Sequence, residues 1–402
     1  MGSEGSEGTG NEAPVHGGRA TQARSAFLRT VVVGALVASC AAPWLLSQAP
    51  PSSAKPEPIV IAVEAPLSGP QANNGIDMLR GVRLAVRQRN AKGGIDGRRI
   101  RIVPIDDQAD PKLALVSVDA AKKAGAMAVI GPYNSSVGVI NLPAYAKAGI
   151  VAVQMTSTDE TNGMGVTVQP KNSQIAPVEF AHFTALGAKK VTMLVDPSTY
   201  TQGMADRLAA QLRAAGVKVR QFGVAEGLSS YSGVVDHALA WDPDAVYVST
   251  YYPEGATIAR RLAKANAKVP RPSVFGMGNV DPSFVTQAGL DAARLPVFSG
   301  VPESSRLPGK RAAAYSSAFA QEFGAAPGVW GIFTYDSANL LFDTMITSKA
   351  TKPGPLLAAL RATKKHRGAT GKTTIDPRTG SRVNAPVYLL GVQEDGSFAI
   401  IS

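Results

Sequence analysis

The sequence predicts an α/β protein with two lobes, each built on a parallel β-sheet. From Ile59 onward, short β-branched runs alternate with amphipathic helical patterns, and such alternation predicts parallel strands joined by helical crossovers. The chain has 402 residues, of which 45% are hydrophobic and 18% charged. This composition is typical of a globular protein and excludes a disordered chain. Because the alternating part is longer than one sheet usually holds, we expect two lobes.

The first predicted strand, 59–63, is a continuous apolar run of the kind that is covered on both faces. The other predicted strands are 100–105, 128–130, 150–153, 191–195, 217–222, 245–248 and 273–275. The first predicted helix has apolar residues three and four apart at Leu79, Val82 and Val86. Asp110 and Pro111 supply an N-cap and a first-turn proline for a second helix, which ends near Ala124. Later helical patterns lie near 137–147, 174–186, 203–215, 231–240, 254–266 and 309–323.

Residues 1–40 have the pattern of an export signal. Three arginines precede an apolar stretch, and the stretch is followed by small residues directly before Cys40, an order typical of a secretory signal. The segment resembles the lipobox of bacterial lipoproteins, which implies lipid attachment at Cys40 and a protein anchored on the outer face of the plasma membrane. The alternative is that residues 30–46 remain as an uncleaved anchor, although they are short for a bilayer span. Residues 41–58, rich in Pro and Ser, predict a flexible linker.

Charge and cysteine content exclude several classes of function. The formal net charge is +11, from 41 Lys and Arg against 30 Asp and Glu, but the basic residues are dispersed, which favours a solvated surface over nucleic-acid binding. A single cysteine excludes an intrachain disulfide and a Cys-based zinc cage. Asp106, Asp107 and Asp110 lack the spacing of a calcium loop and are typical of a capped helix after a strand. We therefore expect no metal and no other cofactor.

Motifs of catalysis are also missing from the sequence. It contains no G-x-S-x-G elbow and no G-x-x-x-x-G-K-[ST] phosphate loop, and its S-x-x-K match at Ser52–Lys55 falls within the linker. An esterase or amidase would need a reactive serine beside a histidine or lysine, but His182 and His237 lie in helical patterns. We therefore expect a protein that binds its ligand and is not an enzyme.

Hydroxyl-bearing and phenolic residues follow four of the predicted strands. These segments are 131–136, 156–158, 196–200 and 249–252. In parallel sheets, ligands bind beyond the carboxyl ends of the strands. Serine and threonine in one such segment can simply cap the next helix. Four such segments at one sheet edge instead indicate a cleft for a small polar ligand, with hydroxyl groups and aromatic walls.

The order of motifs along the chain resembles the solute-binding proteins of branched-chain amino acid ABC transporters. The motifs that carry this resemblance are Leu67–Pro70, Asn90–Gly97, Asp106-Asp107 with Asp110-Pro111, Ile130-Gly131 with Ser135-Ser136, Tyr200–Gly203, Asp242–Asp244, Tyr335–Ala338, and Asp376 with Gly380. The resemblance extends from Ile59 to the C-terminus. It implies a type I periplasmic-binding fold, in which two Rossmann-like lobes joined by three strands close on the ligand. Lobe 1 would contain residues 59–176 and 302–383, and lobe 2 residues 177–301 and 384–402.

The resemblance also implies a set of ligand-binding residues. Ser135 would hold a carboxylate. Thr158 and the carbonyl group of Thr156 would meet an ammonium group. Tyr200 and Tyr251 would contribute aromatic walls from the second lobe.

Two positions depart from the family pattern. Gly278 stands where amino-acid binders have an acidic residue for the ammonium group, and Asn74 replaces an aromatic residue. Asp281, three residues further on, is the candidate replacement for the missing acid. Because a buried ammonium group without a counter-charge is costly, the ligand is left open between an amino acid, an amide, a small acid and another neutral polar solute.

The expected function is that of an exported receptor that delivers its ligand to a membrane permease driven by separate ATPases. The alternative is a sensory receptor of the same fold that signals to a membrane partner. The sequence ends at Ser402, just after the apparent last strand, without a further signalling segment. This arrangement favours transport.

Overall fold

Two main β-sheets organise the chain in the computed structural model, which describes residues 56–401. The predictions for the signal at 1–40, for lipid attachment at Cys40, for the anchor at 30–46 and for linker residues 41–55 lie outside the described residues. Within 56–401, no helix combines the length and the apolar character needed to cross a membrane.

The first sheet has four parallel strands in the order β2-β1-β3-β4. These strands are β1 (Ile59–Ala65), β2 (Ile100–Asp106), β3 (Ala128–Ile130) and β4 (Val151–Val153). The crossovers are α1 (Ala72–Ala91), α2 (Ala114–Lys123) and α3 (Ser135–Lys147). Asp110 accepts a hydrogen bond from Lys112 N (2.9 Å) and caps a short 3-10 turn that leads into α2. Parallel pairing is therefore confirmed for this sheet.

The second sheet has seven strands in the order β13-β12-β9-β8-β7-β5-β6. Its parallel strands are β5 (Lys190–Val195), β6 (Lys218–Gly223), β7 (Ala245–Ser249), β8 (Ser273–Phe275) and β9 (Val297–Gly300). The helices around them are α4 (Asn172–Ala185), α5 (Thr199–Ala214), α6 (Ser232–Ala240), α7 (Tyr252–Asn266), α8 (Pro282–Ala288) and α9 (Leu290–Ala293). The core includes buried Phe275, Phe284, Phe298 and Phe398, whose ring centroids lie 5.0–5.6 Å apart in the contacting pairs.

The last part of the chain first returns to the sheet of β1–β4. Three helices, α10 (Lys310–Phe323), α11 (Gly331–Ser348) and α12 (Pro353–Arg361), precede a small antiparallel hairpin, β10 (His366–Gly368) with β11 (Gly371–Thr373). Helix α11 packs along α1. Gly81 permits this approach, because a Cβ atom there would lie 2.0 Å from the carbonyl oxygen of Gly331.

Two final strands, β12 (Tyr388–Val392) and β13 (Phe398–Ile400), join the edge of the second sheet and are antiparallel. The sequence analysis gave these two strands no bounds, and they are an antiparallel addition to the predicted parallel sheet. The connection between them is a tight turn in which Gln393 N donates to the carbonyl oxygen of Ser397 (2.9 Å). So short a link permits only an antiparallel hairpin, because a parallel pair needs a crossover of a dozen or more residues.

The chain passes between the two sheets three times, in the segments 154–171, 301–309 and 374–387. Two of these segments are hydrogen-bonded together: Thr167 N donates to Gly380 O (2.8 Å) and Arg382 N donates to Thr167 O (3.0 Å). The predicted fold class, two α/β lobes with three connections, is confirmed. The lobe boundaries stay a prediction, and the one at 176/177 falls inside α4, which packs on α5.

Candidate ligand-binding site

A cavity lies between the two sheets, beyond the carboxyl ends of their parallel strands. Segments after β3, β4, β5, β7 and β8 all contribute to its wall, as parallel-sheet topology requires. The residues that line it are Tyr133, Ser135, Met155, Ser157, Gln169, Tyr200, Tyr251, Met277, Gly278 and Trp330. Four predicted site residues, Ser135, Tyr200, Tyr251 and Gly278, thus come together around one space.

Two serines supply hydroxyl groups on the side of the first sheet. Ser135 is the first residue of α3, and its Oγ accepts a hydrogen bond from Thr158 N (3.3 Å). Ser157 Oγ donates to the carbonyl oxygen of Pro170 (2.9 Å). Because the first-turn amide groups of a helix lack intrahelical acceptors, the start of α3 adds positive potential next to Ser135.

Gln169 is a lining residue that the sequence reasoning missed. Its Nε2 donates to Ser157 Oγ (3.0 Å) and to the carbonyl oxygen of Met155, while its buried Oε1 has no hydrogen-bond partner among the described residues. It lies in the irregular segment between β4 and α4, where no periodicity identifies a site residue. Gln169 therefore offers a free acceptor at the cavity.

Four aromatic side chains form most of the remaining wall. Tyr133 and Trp330 come from the side of the first sheet, and their ring centroids are 5.1 Å apart in an edge-on arrangement. Tyr200 and Tyr251 come from the side of the second sheet, at 5.8 Å. Tyr133 and Tyr251 meet across the cleft at 6.2 Å. The sequence analysis noted Tyr133 in a polar loop but did not select it, and nothing in the sequence pattern singled out Trp330.

The hydroxyl group of Tyr200 is buried and has no hydrogen-bond partner among the described residues. Burial raises the pKa of Tyr200 well above its ordinary value, and the nearby Glu179 carboxyl group adds to this. The phenol therefore stays protonated. It offers a ligand one donor and one acceptor.

The other predicted site residues lie near the cavity but do not line it. Thr156 is buried, and its hydroxyl group bonds to Gln154 and to Thr161 Oγ1 (2.6 Å). Thr158 is buried beside Ser135. Asn74 Nδ2 is 3.5 Å from the Tyr133 hydroxyl group. Asp281 accepts a hydrogen bond from Ser283 N (2.7 Å) and caps α8.

Two predicted loops are partly the first turns of helices. Helix α3 begins at Ser135 and α5 at Thr199, earlier than the apolar periodicity predicts. For α5 the reason is local capping: Ser198 Oγ accepts a hydrogen bond from Thr201 N (3.4 Å) and so extends α5 into a polar segment.

Gly278 lies where the aromatic rings of Tyr200 and Tyr251 approach the backbone. A Cβ atom at this position would lie 2.8 Å from the carbonyl oxygen of Thr250, 3.3 Å from Tyr200 Cε1 and 3.4 Å from Tyr251 Cδ1. Asn279 fixes this turn, because its Nδ2 donates to Thr250 O (2.9 Å). A side chain of any kind is therefore disfavoured at position 278.

A buried lysine holds the segment that follows β4. Lys171 Nζ donates to Thr158 O (2.9 Å), to Thr161 Oγ1 (2.7 Å) and to Gln154 Oε1 (3.4 Å). Burial lowers its pKa to about 7. Lys171 thus orders the backbone beside Ser135 without lining the cavity itself.

The cavity is small, and hydrogen bonds join the two sides of the cleft. It leaves about 10 Å³ for the centre of a water molecule, which is room for about one water. Ser136 Oγ accepts a hydrogen bond from Thr199 N (3.0 Å), and Asn73 Nδ2 donates to Ser283 Oγ (2.8 Å), so both bonds bridge the two sides. A ligand the size of an amino acid therefore needs the two sides to separate.

A family model described as periplasmic binding protein matches residues 58–397. The chain belongs to this family. The resemblance noted in the sequence is thereby confirmed, and the family is one of binding proteins that act outside the cytoplasm, not of enzymes.

Relatives of this periplasmic binding protein include named amino-acid binders. It is 28% identical over 263 residues to Leu/Ile/Val-binding protein BraC3 of Rhizobium johnstonii, covering 64% of this chain and 71% of that protein. It is 30% identical over 239 residues to Leu/Ile/Val-binding protein homolog 2 of Brucella abortus. That second alignment covers 58% of this chain and 64% of the relative, less than two thirds of its length.

Solved structures share the fold and differ in what they bind. The branched-chain amino acid transporter protein LivJ from Streptococcus pneumoniae, in complex with isoleucine, has a TM-score of 0.77 at 24% identity, covering 86% of this chain and 99% of that one. A solute-binding protein from R. palustris, in complex with benzoate, has a TM-score of 0.75 at 19% identity, covering 86% and 96%. At these identities the likeness establishes the fold alone.

Proposed function

We propose that this periplasmic binding protein is the lipid-anchored receptor of an ABC importer. It captures a small polar solute in the cavity between its lobes and delivers it to a membrane permease driven by separate ATPases. The observation that carries the proposal is the cavity itself, which is lined by hydroxyl and aromatic side chains from both sides of the cleft. Such a site binds its ligand and releases it by lobe movement, without breaking a bond.

The polarity of the lining supports an uncharged or zwitterionic ligand. Ser135, Ser157 and the start of α3 suit a carboxylate or another acceptor-rich group. None of the lining residues within 56–401 is Asp, Glu, Lys, Arg or His. The relatives named for leucine, isoleucine and valine, and the structures with isoleucine or benzoate, all concern small carboxylates. A small solute with a carboxylate or amide group therefore fits best.

Mass spectrometry of ligand released from the purified protein is the direct test. We expect a stoichiometric small molecule, which calorimetry with the same compound and the stripped protein then verifies. A chain that releases nothing, and that binds neither amino acids nor amides nor small acids, contradicts the receptor function. Turnover of a bound compound would contradict it equally.

The Tyr200→Ala variant is expected to lose at least about tenfold in ligand affinity, because it removes a desolvated aromatic wall and a phenol that no described residue satisfies. The milder Tyr200→Phe variant keeps the ring. The matched control is Tyr335→Phe, whose hydroxyl group donates to Gln88 Oε1 (2.7 Å) away from the cavity. Calorimetry gives the affinities, and thermal unfolding checks the fold. Unchanged affinity in folded Tyr200→Ala would remove this residue from the site.

Lipid anchoring at Cys40 has its own test. We expect the Cys40→Ser variant to lose incorporation of radiolabelled fatty acid and to shift from the membrane fraction to the soluble fraction. If the variant stays in the membrane and the unaltered protein takes up no label, residues 30–46 act as an uncleaved anchor instead.

A further inference from the structure

The aromatic residues of the cavity form a continuous set across the cleft. Trp330, Tyr133, Tyr251 and Tyr200 follow one another with centroid separations of 5.1, 6.2 and 5.8 Å. All four are at least 94% buried, so their faces and edges are desolvated. The electron-rich faces of tyrosine and tryptophan attract cations, and the attraction is strongest where water is excluded.

The same cavity lacks a counter-charge for a primary ammonium group. Gln169 Oε1 and the Tyr200 hydroxyl group can accept hydrogen bonds from its N–H donors, but burying the charge itself without a carboxylate is costly. No carboxylate lines the cavity within residues 56–401. At position 278 a side chain would collide with Thr250 O, and the rings of Tyr200 and Tyr251 already pack onto the glycine. Aromatic rings thus occupy the space where an acidic side chain would stand.

Acidic groups line a second cavity next to Tyr251. This cavity of about 530 Å³ shares Tyr251 with the first and is lined by Asp110, Glu226 and Glu254, with no Lys, Arg or His among its lining residues in the described chain. Asp196, behind Tyr251, accepts the hydrogen bond of that residue's backbone N–H (3.2 Å). The surroundings of Tyr251 are therefore electronegative, which favours a cation next to this ring. An aromatic acid, by contrast, would meet no cation on the cavity wall.

We propose that the ligand is a betaine-type zwitterion, in which a quaternary ammonium group with no N–H donor lies among the four aromatic rings. Its carboxylate lies towards Ser135, Ser157 and the first turn of α3. This proposal rests on the receptor function and names its ligand class. It explains how the site tolerates Gly278: an N-methylated cation needs π faces and not an acceptor for N–H groups.

Calorimetry on the purified full chain, stripped of ligand, tests the proposal with a matched pair. Glycine betaine and 3,3-dimethylbutyrate have the same shape and the same carboxylate, but the second has a neutral carbon in place of the quaternary nitrogen. We expect glycine betaine to bind at least about tenfold more tightly. Equal or tighter binding of 3,3-dimethylbutyrate overturns the proposal. Binding of leucine or benzoate in the absence of betaine binding also overturns it, but leaves the receptor function intact.

Variants at Trp330 separate the aromatic role from general packing. In Trp330→Leu, we expect betaine affinity to fall about tenfold while the weaker 3,3-dimethylbutyrate affinity changes much less. Trp330→Phe keeps a ring and should retain most of the betaine preference. An equal loss for both ligands in a folded Trp330→Leu protein means that the residue only fills space, which contradicts the proposal. If no compound of any class binds and no ligand is released from the native protein, the receptor function fails together with it.

Discussion

Replacing Asp77 by alanine is expected to lower the free energy of unfolding by about 3 kcal/mol, because three backbone N–H donors lose a charged acceptor. Asp77, on α1, accepts hydrogen bonds from Gly328 N (2.9 Å), Trp330 N (2.9 Å) and Gly331 N (2.6 Å). These contacts connect α1 to the start of α11. Burial raises the pKa of Asp77 to about 6 despite the three amide donors, so the carboxylate is ionised at neutral pH.

The Asp77→Ala substitution is also expected to affect the binding site, because Asp77 contacts Trp330. Because the backbone of Trp330 is held by Asp77, we expect ligand affinity to fall as well, even under conditions where the variant is fully folded. The Asp77→Asn variant can still accept from two of the three donors and should lose less in both respects. Urea unfolding gives the stabilities and calorimetry the affinities.

The control for Asp77→Ala is the same substitution at an exposed aspartate. The side chain of Asp119 is 79% exposed and has only a 3.6 Å contact with Lys122, so Asp119→Ala should change the stability by less than about 0.5 kcal/mol. If Asp77→Ala stays within that range, the contact between α1 and α11 does not depend on the carboxylate.

The alternating strands and helices of the core were predictable because their hydrophobic patterns in the sequence match the burial of the same residues in the fold. Ala128–Ile130 is wholly apolar and Ser273–Phe275 is apolar apart from its serine; both strands are buried and bounded by turn residues. Beyond Phe323, the sequence analysis gave no bounds for any element and noted only an apparent last strand before Ser402. There α11 is buried around most of its circumference, so its apolar residues form no single stripe. The antiparallel pairing of β12 depends on its entry from the other lobe, which no local pattern encodes.

The candidate site was predictable only where strand ends meet. Ser135 follows a strand of the first sheet, Tyr200 and Tyr251 follow strands of the second, and the carboxyl ends of both sets of strands face the cavity. Trp330 precedes α11 and follows no strand directly, and Gln169 lies far along the irregular segment after β4, so no strand end marks either residue. Thr156 and Thr158 are near in sequence to lining residues, but their hydroxyl groups bond to the protein. Local spacing cannot distinguish a threonine that faces a ligand from one that fixes its own loop.

A pair of buried carboxyl groups beneath the first sheet should make stability depend on pH. Glu64 accepts hydrogen bonds from Asn141 Nδ2 (2.7 Å) and Tyr145 OH (2.8 Å), and burial, together with the charge of Asp107, raises its pKa to about 8. Burial raises the pKa of Asp107 to about 7, and its Oδ2 has no hydrogen-bond partner among the described residues. Both pKa values lie above those of the unfolded chain, so the folded state holds more protons. The stabilising effect of these protons is complete below about pH 4 and is lost as the pH rises to about 8.

We therefore compare the free energy of unfolding of Asp107→Asn with that of the unaltered protein. The difference is expected to shift by about 2–4 kcal/mol in favour of the variant when the pH is raised from 5 to 9. At pH 5 both carboxyl groups are protonated in the fold, and the variant should be equal or slightly less stable, because its new amide group lacks a partner. At pH 9 it no longer has to bury a second charge beside Glu64, and it should be the more stable protein. Urea unfolding at the two pH values measures the difference, and exposed Asp119→Asn serves as the control.

Other buried groups, such as Glu179 and Lys171, also titrate near pH 7. The test therefore depends on the comparison between variants and not on the pH profile of one protein. The same stability difference at both pH values would mean that the carboxyl group of Asp107 ionises in the fold at no cost.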